Sequence, residues 1–180
     1  MASTNSRLIS ECEIYLDLRG ALRGKTTETA LRNLISRLRF ETVLRYVYVP
    51  ILDIQTPSVE RGAMIIENDK DKDGRSRKEC ELIFRLLWDR GVRKIIKVVV
   101  EEQEDCHHTD EMIAGLSLHK LDIEEWDWKI KDLCSETIRR AAPNAKTLFL
   151  YSSGNNAVLR SWSRDGGLNK FAKVPSIHIV

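Results

Sequence analysis

The chain has 180 residues, with 29 Lys and Arg against 27 Asp and Glu, a formal net charge of +2, and 42% apolar residues. A chain of that length buries a core without disulfides or metal and predicts a single domain. Charge balanced in sign leaves no cationic excess for a polyphosphate, so nucleic acid is not the expected partner.

The first twenty residues carry no apolar signal-like stretch, and no apolar run approaches the roughly 18 residues of a membrane span. Cys12, Cys80, Cys106 and Cys134 stand far apart in no CxxC pair. A cytoplasmic protein with reduced thiols, no membrane association and no cofactor is the expectation.

From Arg7 to Arg39 apolar residues recur at helical spacing around a break at Gly20 to Thr27, which predicts a helical hairpin as the front of the molecule, residues 7–40. Thr26 or Thr27 caps the second helix, with Glu28 in its first turn. Val43 to Ile54 reads as a strand, with Pro50 forcing an edge or bulge. Residues of about 55–77, with Pro57, Gly62 and Gly74 among charges, predict a mobile loop.

Beyond it, residues 79–180 alternate. The reading is helix Glu79 to Arg90 closed by Gly91, strand Lys94 to Glu101, helix Asp110 to His119 and strand Leu121 to Trp128. Helix Asp132 to Ala142, strand Lys146 to Ser152, short helices from Asn156 to Trp162 and Leu168 to Lys173, and a last strand Ser176 to Val180 follow. This predicts an α/β fold, a mostly parallel βαβ sheet with helices on its faces. Strand starts 27, 25 and 30 residues apart make a leucine-rich-repeat-like solenoid the alternative architecture. A terminal apolar strand implies a sheet edge or a longer protein.

Four strings bear on chemistry. Asp69, Asp71 and Asp73 before Gly74 copy the first half of a calcium loop, but position 12 is Cys80, so a solvated turn is the better reading. Cys106-His107-His108 offers zinc donors at poor chelate spacing, and Thr109 with Asp110 and Glu111 reads as a helix start instead. Trp126 and Trp128 flank Asp127 so that both indoles share one side of a strand, as core residues do. Tyr151-Ser-Ser-Gly-Asn-Asn156 lies where α/β sheets place phosphate loops and nucleophiles, yet matches neither pattern, which leaves capping by Asn155 or Asn156 as the preferred role.

The strings KIIKVVVEEQEDCHHTDEMI, IEEWDWKIKDLCSETIRRAAPNAKTLFLYSSGNNAVLRSWS and DGGL resemble the region upstream of the peptidase domain in fungal intracellular subtilisin-like proteins, over roughly residues 91–168. The resemblance implies a module that regulates or targets a peptidase. No glycine-rich context for a catalytic Asp, His or Ser of that type occurs here, so no catalytic residue carries over. The leading expectation is therefore a non-catalytic regulatory or protein-interaction module, its partner a protein, with a subtilisin-like peptidase domain in cis or trans as the candidate. The alternative is a small hydrolase or ligand-binding enzyme with a strand-end site at Ser152 to Asn156. Its nucleophile would be Ser153, with the His107-His108 loop, His108 in particular, and Asp127 as acid and base, and with Gly154, Asn155 and Asn156 holding the ligand.

Overall fold

Four segments share one spacing, apolar at i, i+3 and i+5: Leu44-Val47-Val49, Ile95-Val98-Val100, Ile123-Trp126-Trp128 and Ala145-Leu148-Leu150. All twelve side chains are buried. A period of two at the last two positions of each set is what a strand needs to aim both at one side of a sheet.

A computed structural model describes residues 14–19, 25–55, 79–104, 107–171 and 176–180, without the side chains of residues 25, 53–55, 118 and 119. Its main sheet has six parallel strands, all the neighbours in chain order. They are β1 (Tyr15–Asp17), β3 (Val43–Val49), β5 (Lys94–Val100), β6 (Asp122–Lys131), β7 (Thr147–Tyr151) and β8 (Ser176–Ile179). A small parallel pair, β2 (Lys25–Thr27) and β4 (Asp53–Gln55), lies beside it.

Five helices alternate with the strands: α1 (Glu28–Arg37), α2 (Glu79–Asp89), α3 (Asp110–Gly115), α4 (Ser135–Ala141) and α5 (Asn156–Ser163). Because every connection steps to the next position in the same direction, right-handed crossovers all pass over the same side. The packing agrees: α1 touches α2, α2 touches α3, α3 touches α4, and one apolar core joins Leu31, Ile35, Ile83, Leu87, Ile113 and Ile138 of the helices to Val47, Val98, Trp126 and Leu148 of the sheet. Trp126 and Trp128 stack at 5.1 Å between ring centres in the middle of that core. Burying each indole contributes on the order of 4–6 kcal/mol of transfer free energy before chain entropy is counted.

Local signals act where the sequence places them. The Thr27 side chain accepts the Ala30 N–H to start α1, and the Thr109 side chain accepts the Met112 N–H to start α3. Gly91, at φ +93°, follows α2 in the left-handed region that glycine enters without a Cβ penalty.

Three expectations need correction. The first arm of the expected helical hairpin is strand β1: Leu16 and Leu18 are buried while Tyr15 and Asp17 are exposed, so a period of two prevails locally over the helical spacing. Among the described residues the helices cover one face of the sheet, not both, because the strand order never reverses. The strand expected over Val43 to Ile54 divides around Pro50 into β3 and β4. The expected mobile loop, including Asp69, Asp71 and Asp73, lies outside the described residues save its first position, which ends β4. Among the described residues no helix is long and apolar enough to cross a membrane.

Candidate functional site

With helices on one side only, the other face of the sheet carries two aligned rows of side chains. One row runs Tyr15, Tyr46, Lys97, Glu125, Thr147 and Ser176. The next runs Asp17, Tyr48, Val99, Asp127, Phe149 and His178. Aromatic rings occupy the two sides of this face: on β1 and β3 Tyr46 lies 6.4 Å from Tyr15 and 6.3 Å from Tyr48, and on β7 and β8 Phe149 stacks on His178 at 4.7 Å.

Charges on this face are arranged in pairs. Arg19 bonds to Asp17 and lies over the Tyr48 ring at 4.2 Å. Lys97 stands 3.7 Å from Glu125 and over Phe149. Glu101, just past β5, accepts bonds from Lys129 and, at 2.6 Å, from the Tyr48 hydroxyl. Burial alone would raise the Glu101 carboxyl, but these donors outweigh it and hold it below the ordinary range. Burial, followed by the bond to Glu101, pushes the Tyr48 phenol up to about 12. Asp127 accepts from the Tyr151 hydroxyl at 2.8 Å; burial first and then that carboxylate hold the Tyr151 phenol well above its ordinary value.

The three groups proposed for a catalytic set are not brought together. His108 is wholly buried on the helix side, edge-on to Trp128 at 5.4 Å, whereas Asp127 points to the opposite face from its neighbour Trp128. The sheet itself separates imidazole from carboxylate. Ser153 donates its hydroxyl to Asp132, which also accepts the Ser153 N–H at 3.0 Å. These bonds, the hydroxyl first, keep the Asp132 carboxyl below its usual range. Gly154, at φ +83°, turns the chain, and Asn155 accepts the Ala157 N–H at 2.9 Å to cap α5, the role its sequence position suggested. Asn156 is the exposed first residue of that helix.

A buried polar cluster takes the place of the expected His107-His108 site. His107 is exposed. His108 Nδ1 lies 2.6 Å from Glu102 Oε1, the same oxygen accepts the Trp128 indole N–H at 2.5 Å, and the His108 backbone N–H reaches Oε2 at 3.3 Å. Glu79, the first residue of α2, brings Oε1 to 3.8 Å from His108 Nε2. This knot ties the loop after β5 to α2 and β6. Its signal in the sequence was parity: continuing the alternation of Val98 and Val100 places Glu102 on the core side and Glu101 on the open side. Among the described residues no set of three or more His, Cys, Asp or Glu side chains is arranged to hold a metal.

A shallow cleft of about 230 Å³, lined by Ser117, Lys120, Asp122 and Asn144 among others, lies at the opposite end of the strands from Ser153. It draws on none of the candidate residues. Comparison with family models, with curated proteins and with solved structures finds no match to this chain.

Proposed function

We propose that this chain is a non-catalytic protein-interaction module that binds its partner through the open face of the sheet. The observation that carries the reading is that face itself. Tyr15, Tyr46, Tyr48, Phe149 and Tyr151 present rigid amphipathic rings on a flat parallel array, and tyrosine is the residue type that supplies contact area at low entropy cost in recognition surfaces. The groups suited to nucleophilic catalysis are meanwhile occupied one by one, Ser153 by Asp132 and His108 by Glu102.

Strand order supports the same reading. Neighbours in chain order, helices on one side and the repeated apolar spacing of i, i+3 and i+5 are the elements of a short leucine-rich-repeat-like solenoid. Such arrays offer the sheet side as an extended binding surface. We take the resemblance to the region upstream of fungal subtilisin-like peptidase domains to indicate the class of partner, a peptidase domain in cis or trans that the module regulates or targets.

A turnover screen with the purified chain on ester, peptide and nucleotide substrates tests the non-catalytic reading. The expected result is no activity above buffer; turnover that disappears in Ser153→Ala would overturn it. Titrating a fungal subtilisin-like peptidase domain into the isotopically labelled chain tests the partner, with resonance shifts expected along β5, β6 and β7 on the open face.

A further inference from the structure

One charge on the open face stands apart from the pairs around it. Asp17 has Arg19, Glu125 has Lys97 and Glu101 has Lys129, each within the face. Asp127 has only the Tyr151 hydroxyl among the described residues. It sits at the centre of its row with Val99 on one side and Phe149 on the other, so neither lateral neighbour can donate to it. It is only 9% exposed. Among the described residues the fully buried side-chain atoms without a hydrogen-bond partner are His108 Nε2, Asp122 Oδ1 and Trp126 Nε1, and none belongs to Asp127, so the oxygen that Tyr151 leaves unused is not wholly enclosed.

Among the described residues this mostly buried carboxylate has no ion-pair partner, the lysines of the face, Lys97 and Lys129, being engaged by Glu125 and Glu101; such a group costs stability, and an incoming cation offsets that cost. The surrounding rings favour the same ligand. Tyr46 and Tyr48 lie toward one side of Asp127, with Phe149 and Tyr151 toward the other. The rings already take cations from within the chain, Arg19 over Tyr48 and Lys97 over Phe149. A carboxylate on a face whose rings already attract cations has the chemistry that recognises an ammonium or guanidinium group.

Building on the interaction reading above, we propose that the open face takes a protein segment presenting an arginine or lysine side chain, and that Asp127 receives its cation. The segment's apolar and aromatic residues lie along the tyrosine rows, and the charge pairs at Glu125 and Glu101 frame the site on either side along β6 and β5.

The test uses two peptides, acetyl-Tyr-Arg-Tyr-amide and its citrulline counterpart, which has nearly the same shape without the charge. Each is titrated into the isotopically labelled full chain and into Asp127→Asn, whose side chain can still accept the Tyr151 bond. Expected are shifts at amides of β5, β6 and β7 for the arginine peptide, and binding weaker by about tenfold both for citrulline and in Asp127→Asn. Equal affinity for the two peptides overturns the proposal while leaving peptide binding by the face intact. Equal affinity in Asp127→Asn, or shifts confined to the Ser152 to Asn156 loop, overturns it as well. The citrulline comparison is made on the unaltered chain, so it stands even if the variant does not fold. Failure of the wider reading is separate, since its non-catalytic part is decided by Ser153-dependent turnover and its interaction part by the titration with a peptidase domain.

Discussion

Glu102 and Glu104 are the same residue type two positions apart in one loop, and replacing each by alanine should have consequences of very different size. The Glu102 side chain is 4% exposed and accepts from the His108 ring, the Trp128 indole and the His108 backbone. Glu104 is 86% exposed and among the described residues meets only Lys131, at 3.2 Å. Glu102→Ala leaves two enclosed ring donors without an acceptor and removes the carboxylate beside a buried imidazole. At about 1–3 kcal/mol for each of the two stranded donors, the expected loss is about 3–5 kcal/mol. In a chain of this length that lowers the melting temperature by roughly 6–20 °C.

Glu104→Ala should cost less than about 0.5 kcal/mol, since exposed pairs gain little in water. Urea unfolding followed by tryptophan fluorescence, with near-ultraviolet circular dichroism reporting the Trp126–Trp128 stack, measures both. Replacing Glu102 and His108 together by leucine should be less damaging than Glu102→Leu alone, because no ring donor at position 108 is then left stranded. If Glu102→Ala and Glu104→Ala unfold at the same urea concentration, the argument from buried donors is refuted.

Two glycines should separate in the same way. A Cβ at Gly167 would lie 2.3 Å from the Trp162 carbonyl oxygen and 2.5 Å from that of Ser161, so Gly167→Ala must displace backbone; a Cβ at Gly154 meets open space and pays only for its φ of +83°. Thermal melts should show a loss of about 1–2 kcal/mol for Gly154→Ala and a larger one for Gly167→Ala. The pH dependence has two limbs. Glu101, Glu124 and Asp132 are held below their ordinary values of 4.5, 4.5 and 3.8, so their stabilisation is complete above those values and is lost as pH falls through the lower folded-state values. Tyr48 is raised from 10.0 to about 12, so its contribution is present below pH 10.0 and lost between there and about 12. Melting temperature measured across pH, with phenolate absorbance following the alkaline limb, should fall at both ends; Ser153→Ala should bring the Asp132 carboxyl back toward its ordinary value by carbon-detected titration. Trp162→Phe should cost about 1–3 kcal/mol in urea unfolding, because it strands the buried Leu133 carbonyl that accepts the indole N–H at 3.0 Å.

Local features were legible in the residues themselves. Thr27, Thr109, Gly91 and Asn155 act at helix ends as their types and positions imply, and the shared side of Trp126 and Trp128 follows from strand parity alone. The alternation from residue 79 onward fixed the α/β class, because a period of two and a period near four leave different apolar patterns. β1 escaped because it is only three residues long, too short for its alternation at Leu16 and Leu18 to outweigh the helical spacing around it.

Strand order is a different kind of fact. Whether successive βαβ units advance in one direction or reverse depends on how each crossover packs against the last, and the strand starts 27, 25 and 30 residues apart raised a one-directional array only as the alternative. That direction decided that the described helices lie on one side and that Tyr46, Asp127 and Phe149 line the other face of the sheet. It also set Asp127 and His108 on opposite sides of the sheet, although they are only 19 positions apart in the chain. Composition and periodicity determined the parts of this protein; the direction in which the strands were laid down determined which of those parts line the outer face of the sheet and which face one another.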